Sequence, residues 1–124
     1  MMNAERRTDA DLSVRTRNYA VRMLAFVRTL PSTLEGRTVA HQIIRCGTSI
    51  GANYRAARRA RSRAEFIAKL GIVIEEADET VFWLEVIGEG KLLKQELVQP
   101  MRDEASELLA IMIASSKTAS VARP

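Results

Sequence analysis

The sequence predicts an all-α protein, an antiparallel up-down-up-down four-helix bundle. Apolar residues recur at helical rather than alternating spacing in four successive stretches. Only six Gly and three Pro occur in 124 residues, while Ala, Leu, Ile, Arg and Glu abound. No two short β-branched runs are joined by a hairpin dipeptide. The length fits one domain that can bury a core without disulfide or metal staples, and 47% hydrophobic residues argue against disorder. The expected organisation is a flexible N-terminus over residues 1–10, a bundle over 11–118 and a flexible tail over 119–124.

The first helix is expected from Asp11 to Leu30. Tyr19, Met23, Phe26 and Leu30 follow the i, i+4, i+7, i+11 rule, and Val14, Val21 and Leu24 widen the stripe. Pro31 stops it, because a residue before proline is pushed away from α geometry. Ser32 to Arg37 reads as a loop containing Gly36, with Thr38 as N-cap of a second helix from Val39 to about Arg61. Its stripe is Ile43, Cys46, Ile50, Asn53 and Ala57. Gly47 and Gly51 cost that helix about 1 kcal/mol each, which a bundle tolerates where another helix approaches closely.

Ser62-Arg63-Ala64-Glu65 is a capping box, in which hydroxyl and carboxylate satisfy reciprocal backbone N–H groups. It starts a third helix at Arg63, running to Ile87, with Gly88 and Gly90 as stop signals. The core stripe is Phe66, Leu70, Val73, Ala77, Thr80, Leu84 and Ile87; a second stripe of Ile72, Glu76, Glu79, Trp83 and Val86 mixes acid with bulk. Lys91 to Gln99 carries the weakest signal. Pro100 fits N1 of a fourth helix that carries Met101, Ala105, Leu108, Leu109, Met112 and Ile113 to about Lys117.

Charge divides the chain. Residues 1–63 hold thirteen Arg, no Lys and four acids, whereas residues 64–124 hold six bases and eleven acids. Arg55, Arg58, Arg59, Arg61 and Arg63 form the densest basic cluster. Three readings stand for it: phosphate binding on RNA or DNA through guanidinium forks, pairing with Glu75, Glu76, Asp78 and Glu79 across a subunit boundary, or a solvated face. Ser49 and Asn53 fit a buried polar pair that fixes bundle register. Trp83 beside Phe82, on a helix with two apolar faces, suggests intersubunit packing.

Other chemistry finds little support. The chain has one Cys and one His; Cys46 and His41, five apart, point to different faces and do not make a nucleophile pair. The acidic run lacks a second Glu-x-x-His helix for a di-iron site, so no metal and no cofactor is expected. Gly47-Thr-Ser-Ile-Gly51 lacks the Gly-Lys-Ser/Thr ending of a phosphate loop. The N-terminus has no apolar h-region, no run approaches the ~18 residues of a membrane span, and one cysteine fits a reducing compartment. A cytoplasmic protein with no small-molecule substrate and no enzymatic activity is expected.

An ordered set of residues spans most of the chain: Pro31 after the first helix; Gln42 and Arg45; Ser49-Ile50 and Asn53; the basic link from Arg58 to Arg63; Phe66 and Leu70; and Glu76-Ala77 with Glu79-Thr80 before Trp83. This set resembles the bacterial four-helix-bundle family of 23S ribosomal RNA intervening-sequence proteins. The resemblance implies an antiparallel bundle that assembles into a ring, usually a pentamer, with no established enzymatic activity. The two function classes are then a homo-oligomeric scaffold, with Arg45, Arg55, Glu76, Glu79 and Trp83 at the subunit contact, and a nucleic-acid accessory module using the arginine cluster.

Overall fold

In the computed structural model, which describes residues 4–121 and side chains from Asp11 onward, helix α1 spans Ala4–Val27. It begins ahead of the expected Asp11. It also ends before Leu30, because the N–H groups of Thr29 and Leu30 donate to Phe26 O and Val27 O at 3.0 and 3.2 Å in a tightened final turn. The expected flexible ends fall partly on residues 1–3 and 122–124, outside the described residues.

Helix α2 spans Leu34–Arg58 and is capped by Thr33, not by Thr38. Thr33 Oγ1 accepts from Gly36 N at 3.1 Å, whereas the Thr38 hydroxyl donates back to Leu34 O at 2.8 Å. Gly36 therefore sits in the first helical turn. The reason it is glycine is the Pro31 carbonyl, whose oxygen would lie 2.0 Å from a Cβ placed there. The α1–α2 turn is thus shorter than expected, and close approach rather than loop flexibility explains the glycine.

Helix α3 spans Arg63–Glu89 and opens on the expected capping box, with Ser62 Oγ accepting from Glu65 N at 3.1 Å. Its C-terminus is a Schellman arrangement: Lys91 N donates to Gly88 O at 3.2 Å and Leu92 N to Ile87 O at 3.0 Å. The left-handed residue is Lys91, at φ 59°, and neither glycine takes that position. Gly88 is instead buried inside the helix, where a Cβ would meet Gln95 Nε2 at 2.7 Å.

Helix α4 spans Gln95–Val121 and contains Pro100 in its second turn, not at its start. Val98 N donates to Lys94 O at 3.2 Å, so the helix is already wound when proline enters. Proline there withdraws one N–H from the ladder, on the exposed side of the helix. Each of the three connections is short, so consecutive helices are antiparallel neighbours.

The core is drawn about equally from all four helices: Tyr19, Met23 and Phe26; Ile43, Ile50 and Tyr54; Leu70, Leu84 and Ile87; Met101, Leu108 and Met112. Full burial of such a side chain contributes about 1.5–3 kcal/mol, so this set outweighs any surface ion pair. Gly47 and Gly51 lie where α1 comes closest, under Met23 and Thr16; a Cβ at Gly51 would stand 3.2 Å from the Thr16 backbone. Thr16 and Thr80 are buried but satisfied, each hydroxyl donating one turn back to Leu12 O and Glu76 O at 2.7 and 2.8 Å. Packing is extensive along α1–α2, α2–α3 and α3–α4, and thin along α1–α4. Val14, Val21, Leu24 and Ile113, read as part of the buried stripes, are exposed.

Candidate functional site

The basic helices α1 and α2 lie beside the acidic helices α4 and α3, and one arginine from each crosses the boundary. Arg15 on α1 holds both Glu104 oxygens at 2.7 Å and Glu107 at 2.9 Å. That bidentate grip holds the guanidinium firmly protonated. Arg45 on α2 reaches Glu79 by a very short hydrogen bond and lies 3.5 Å from Glu76 on α3. Trp83 Nε1 also donates to Glu79 Oε2, at 3.3 Å.

The expected contact residues Arg45, Glu76, Glu79 and Trp83 are therefore assembled by a single protomer. Glu76 Oε2 is buried without a hydrogen-bond partner among the described residues. Burial pushes the Glu76 carboxyl up, and Arg45 only partly opposes this. Trp83 is half-buried, while Phe82, in edge contact with it at 5.0 Å, stays 52% exposed.

The arginine cluster divides in two. Arg55 and Arg58 occupy the last turn of α2 and Arg59 caps it. Together with Arg17 and Ser13 of α1 they line one shallow hollow, where Arg58 Nη1 donates to Ser13 Oγ at 2.8 Å. No carboxylate lies within ion-pair distance of Arg17, Arg55, Arg58 or Arg59 among the described residues. Arg61 lies on the turn after α2 and Arg63 opens α3; both are exposed and neither lines the hollow. Arg17 and Ser13 escaped the sequence reading, which sought partners for the cluster only on the third helix.

Ser49 and Asn53 are half-buried rather than part of the core. Each bonds its own helix, Ser49 Oγ to Arg45 O at 2.6 Å and Asn53 Nδ2 to Ser49 O at 2.9 Å. The adjacent Tyr54 takes the buried position. Cys46 is buried and its thiol pushed up by desolvation, with Sγ 3.6 Å from Ile43 O, while His41 is exposed. Tyr19 is likewise pushed up by burial, and its hydroxyl donates to Met101 O at 2.8 Å. Among the described residues no group of His, Cys, Asp and Glu could hold a metal, and no helix is long and apolar enough to cross a membrane.

This arrangement defines the class: a four-helix bundle whose polar features are interhelical ion pairs and a hollow lined by four arginines. The family model for 23S rRNA-intervening sequence proteins matches residues 8–114, and the chain belongs to that family. A crystal structure of a protein of unknown function from the S23 ribosomal protein family of Bacteroides thetaiotaomicron VPI-5482 is similar over 85% of this chain and 97% of that one. Sequence identity is 34% and the TM-score 0.79. No curated relative matches the chain.

Proposed function

We propose that this chain is a non-enzymatic, homo-oligomeric helical bundle, ring-forming and pentamer-like, that serves as a cytoplasmic assembly scaffold. The observation that carries the reading is apolar bulk left outside a filled core: Val21 is 61% exposed, Phe82 52%, Leu24 42% and Ile72 41%. Full burial of a side chain of this size contributes about 1.5–3 kcal/mol; covering the exposed part of these contributes about half of that each, which favours association between copies. The non-enzymatic part rests on where the reactive groups lie, since the buried Cys46 and the exposed His41 do not meet. Native mass spectrometry and sedimentation should give a mass several times 13.8 kDa; a strict monomer at micromolar concentration refutes the reading.

A second reading, an RNA- or DNA-binding accessory module, is favoured by one specific observation. Arg17 joins Arg55, Arg58 and Arg59 around a hollow in which no carboxylate among the described residues pairs with them, with Arg61 and Arg63 close by in sequence. Guanidinium forks suit phosphate oxygens, and neutralising several phosphates makes affinity fall steeply with salt. Fluorescence anisotropy with labelled RNA and DNA at low and moderate salt tests it. Binding that is absent at both, or indifferent to salt, refutes it.

A further inference from the structure

We infer that copies of this chain associate head to tail, the outer row of α1 on one protomer lying along the outer row of α3 on the next, both helices running in the same direction. The inference rests on the oligomeric reading above and specifies its contact surface.

Opposite the core stripe of α1 stand Val14, Arg17, Val21, Leu24 and Arg28, all exposed, at i, i+3, i+7, i+10 and i+14. On α3 the face turned from the core carries Ile72, Glu75, Glu79, Phe82, Val86 and Glu89 at the same alternation of three and four. A row of that spacing is the seam of a coiled coil, about 20 Å long over fourteen residues. Ile72 and Phe82 are 41% and 52% exposed, and Val14, Val21 and Leu24 45%, 61% and 42%. Of the two rows, among the described residues, only Glu79 is held within the protomer, by Arg45 and Trp83; the apolar members stay exposed, and the backbones of α1 and α3 do not approach each other.

Charge selects the pairing. From Leu12 to Arg28 there are four Arg and no acid; from Gly71 to Glu89 there are six acids and no base. Arg15 is bound to Glu104 and Glu107, and Glu76 and Glu79 to Arg45. Arg17 and Arg28 remain on one row, Glu75 and Glu89 on the other, and none of the four has an ion-pair partner among the described residues.

Pairing α1 with α1 would set arginine against arginine, and pairing α3 with α3 would set Glu75 against its own copy. Pairing α1 with α3 matches opposite signs. With both helices in one direction, Val14 meets Ile72, Arg17 meets Glu75 and Leu24 meets Phe82, while Val21 lies on Glu79 and Arg28 on Val86. Because α1 and α3 occupy separate sides of the bundle, each copy that receives a neighbour on one row offers the other row to a third. Such a heterologous contact closes into a ring where the rotation between neighbours divides a full turn, and parallel α1 and α3 are compatible with an axis running along the helices.

The test uses the full chain and three variants, Arg17→Glu, Glu75→Arg and the double variant, in sedimentation velocity at matched protomer concentration. Far-ultraviolet circular dichroism confirms equal helicity, since both side chains are exposed. Each single reversal should raise the apparent dissociation constant at least tenfold. The double variant should recover assembly, and mixing the two single variants should give mixed assemblies. Single variants that assemble like the parent overturn this contact surface while leaving the oligomeric reading intact, as does a double variant that stays dissociated. A parent chain that is itself monomeric overturns both.

Discussion

Replacing Gly36 and Gly71 by alanine should move stability in opposite directions, although both glycines lie in helices. In either position alanine gains about 1 kcal/mol of helix propensity. Around Gly71 nothing stands within 4 Å of a Cβ, so Gly71→Ala should keep that gain. At Gly36 the new Cβ would fall 2.0 Å from Pro31 O, against an ordinary contact of 3.4–4 Å. The Pro31 carbonyl must therefore retreat by more than about 1 Å, taking the α1–α2 turn with it.

Two contributions then suffer. The Thr33 cap on Gly36 N is worth about 1 kcal/mol. Leu30 and Val39, buried on either side of the turn, would give up half of the roughly 1.5–3 kcal/mol each contributes. Set against the propensity gain, Gly36→Ala should lose about 2 kcal/mol. For a domain of this size about 1 kcal/mol corresponds to roughly 3–5 °C, so Gly36→Ala should melt roughly 6–10 °C lower and Gly71→Ala about 3–5 °C higher. Thermal unfolding followed by circular dichroism, at one protomer concentration for all three proteins, measures both. A Gly36→Ala protein that melts at or above the parent refutes the close-approach argument.

Three further outcomes are expected. Glu76→Gln should stabilise the protein at neutral pH: the folded state keeps the Glu76 proton to higher pH than the unfolded state, so parent stability falls as pH rises through the raised value. Denaturant midpoints of the two proteins should converge below the ordinary carboxylate value of 4.5; a gap that widens on acidification contradicts the burial argument. Lys91→Gly should stabilise by about 0.5–1 kcal/mol, because φ 59° is costly for a side chain and free for glycine; an unchanged or lower melting temperature would count against it. Tyr19→Phe removes the hydroxyl that donates to Met101 O and should cost about 1 kcal/mol in urea unfolding; a neutral substitution would mean that this bond contributes nothing.

The core stripes were legible because burial enforces a 3.6-residue period: Leu70, Val73, Ala77, Thr80, Leu84 and Ile87 are all buried as the spacing of α3 requires. The capping box at Ser62 was equally legible, since both partners lie in one short string. The other helix starts were not. The sequence pointed to Thr38 alone as the cap of the second helix, whereas Thr33 holds that place, beside the close approach of the Pro31 carbonyl to Gly36, a contact that no local pattern encodes. Pro100 misplaced the start of α4 because N1 is only the commonest helical place for proline.

Asn53 stood in for Tyr54 in the α2 stripe because positions three and four beyond Ile50 both lie near its face of the helix, and the packing of the neighbouring helices selects Tyr54. On the surface, the opposite charges of the two halves were plain, and which arginine meets which carboxylate was not. Arg45 pairs inside its own chain and Arg17 joins Arg55, Arg58 and Arg59, both set by how the helices lie side by side.

The thin seam between α1 and α4 has a consequence for how the molecule breathes. Helix α1 packs closely on α2 from Ser13 to Met23 but is fastened to α4 chiefly by long side chains, Arg15 to Glu104 and Tyr19 to Met101. Opening that side requires few backbone neighbours to part, so α1 is the cheapest part of the bundle to peel away. Its amides should exchange with deuterated solvent ahead of those in α3, which is flanked on both sides. At high concentration, a peeled α1 could settle against the vacated groove of another copy, making it the natural element for helix exchange between bundles.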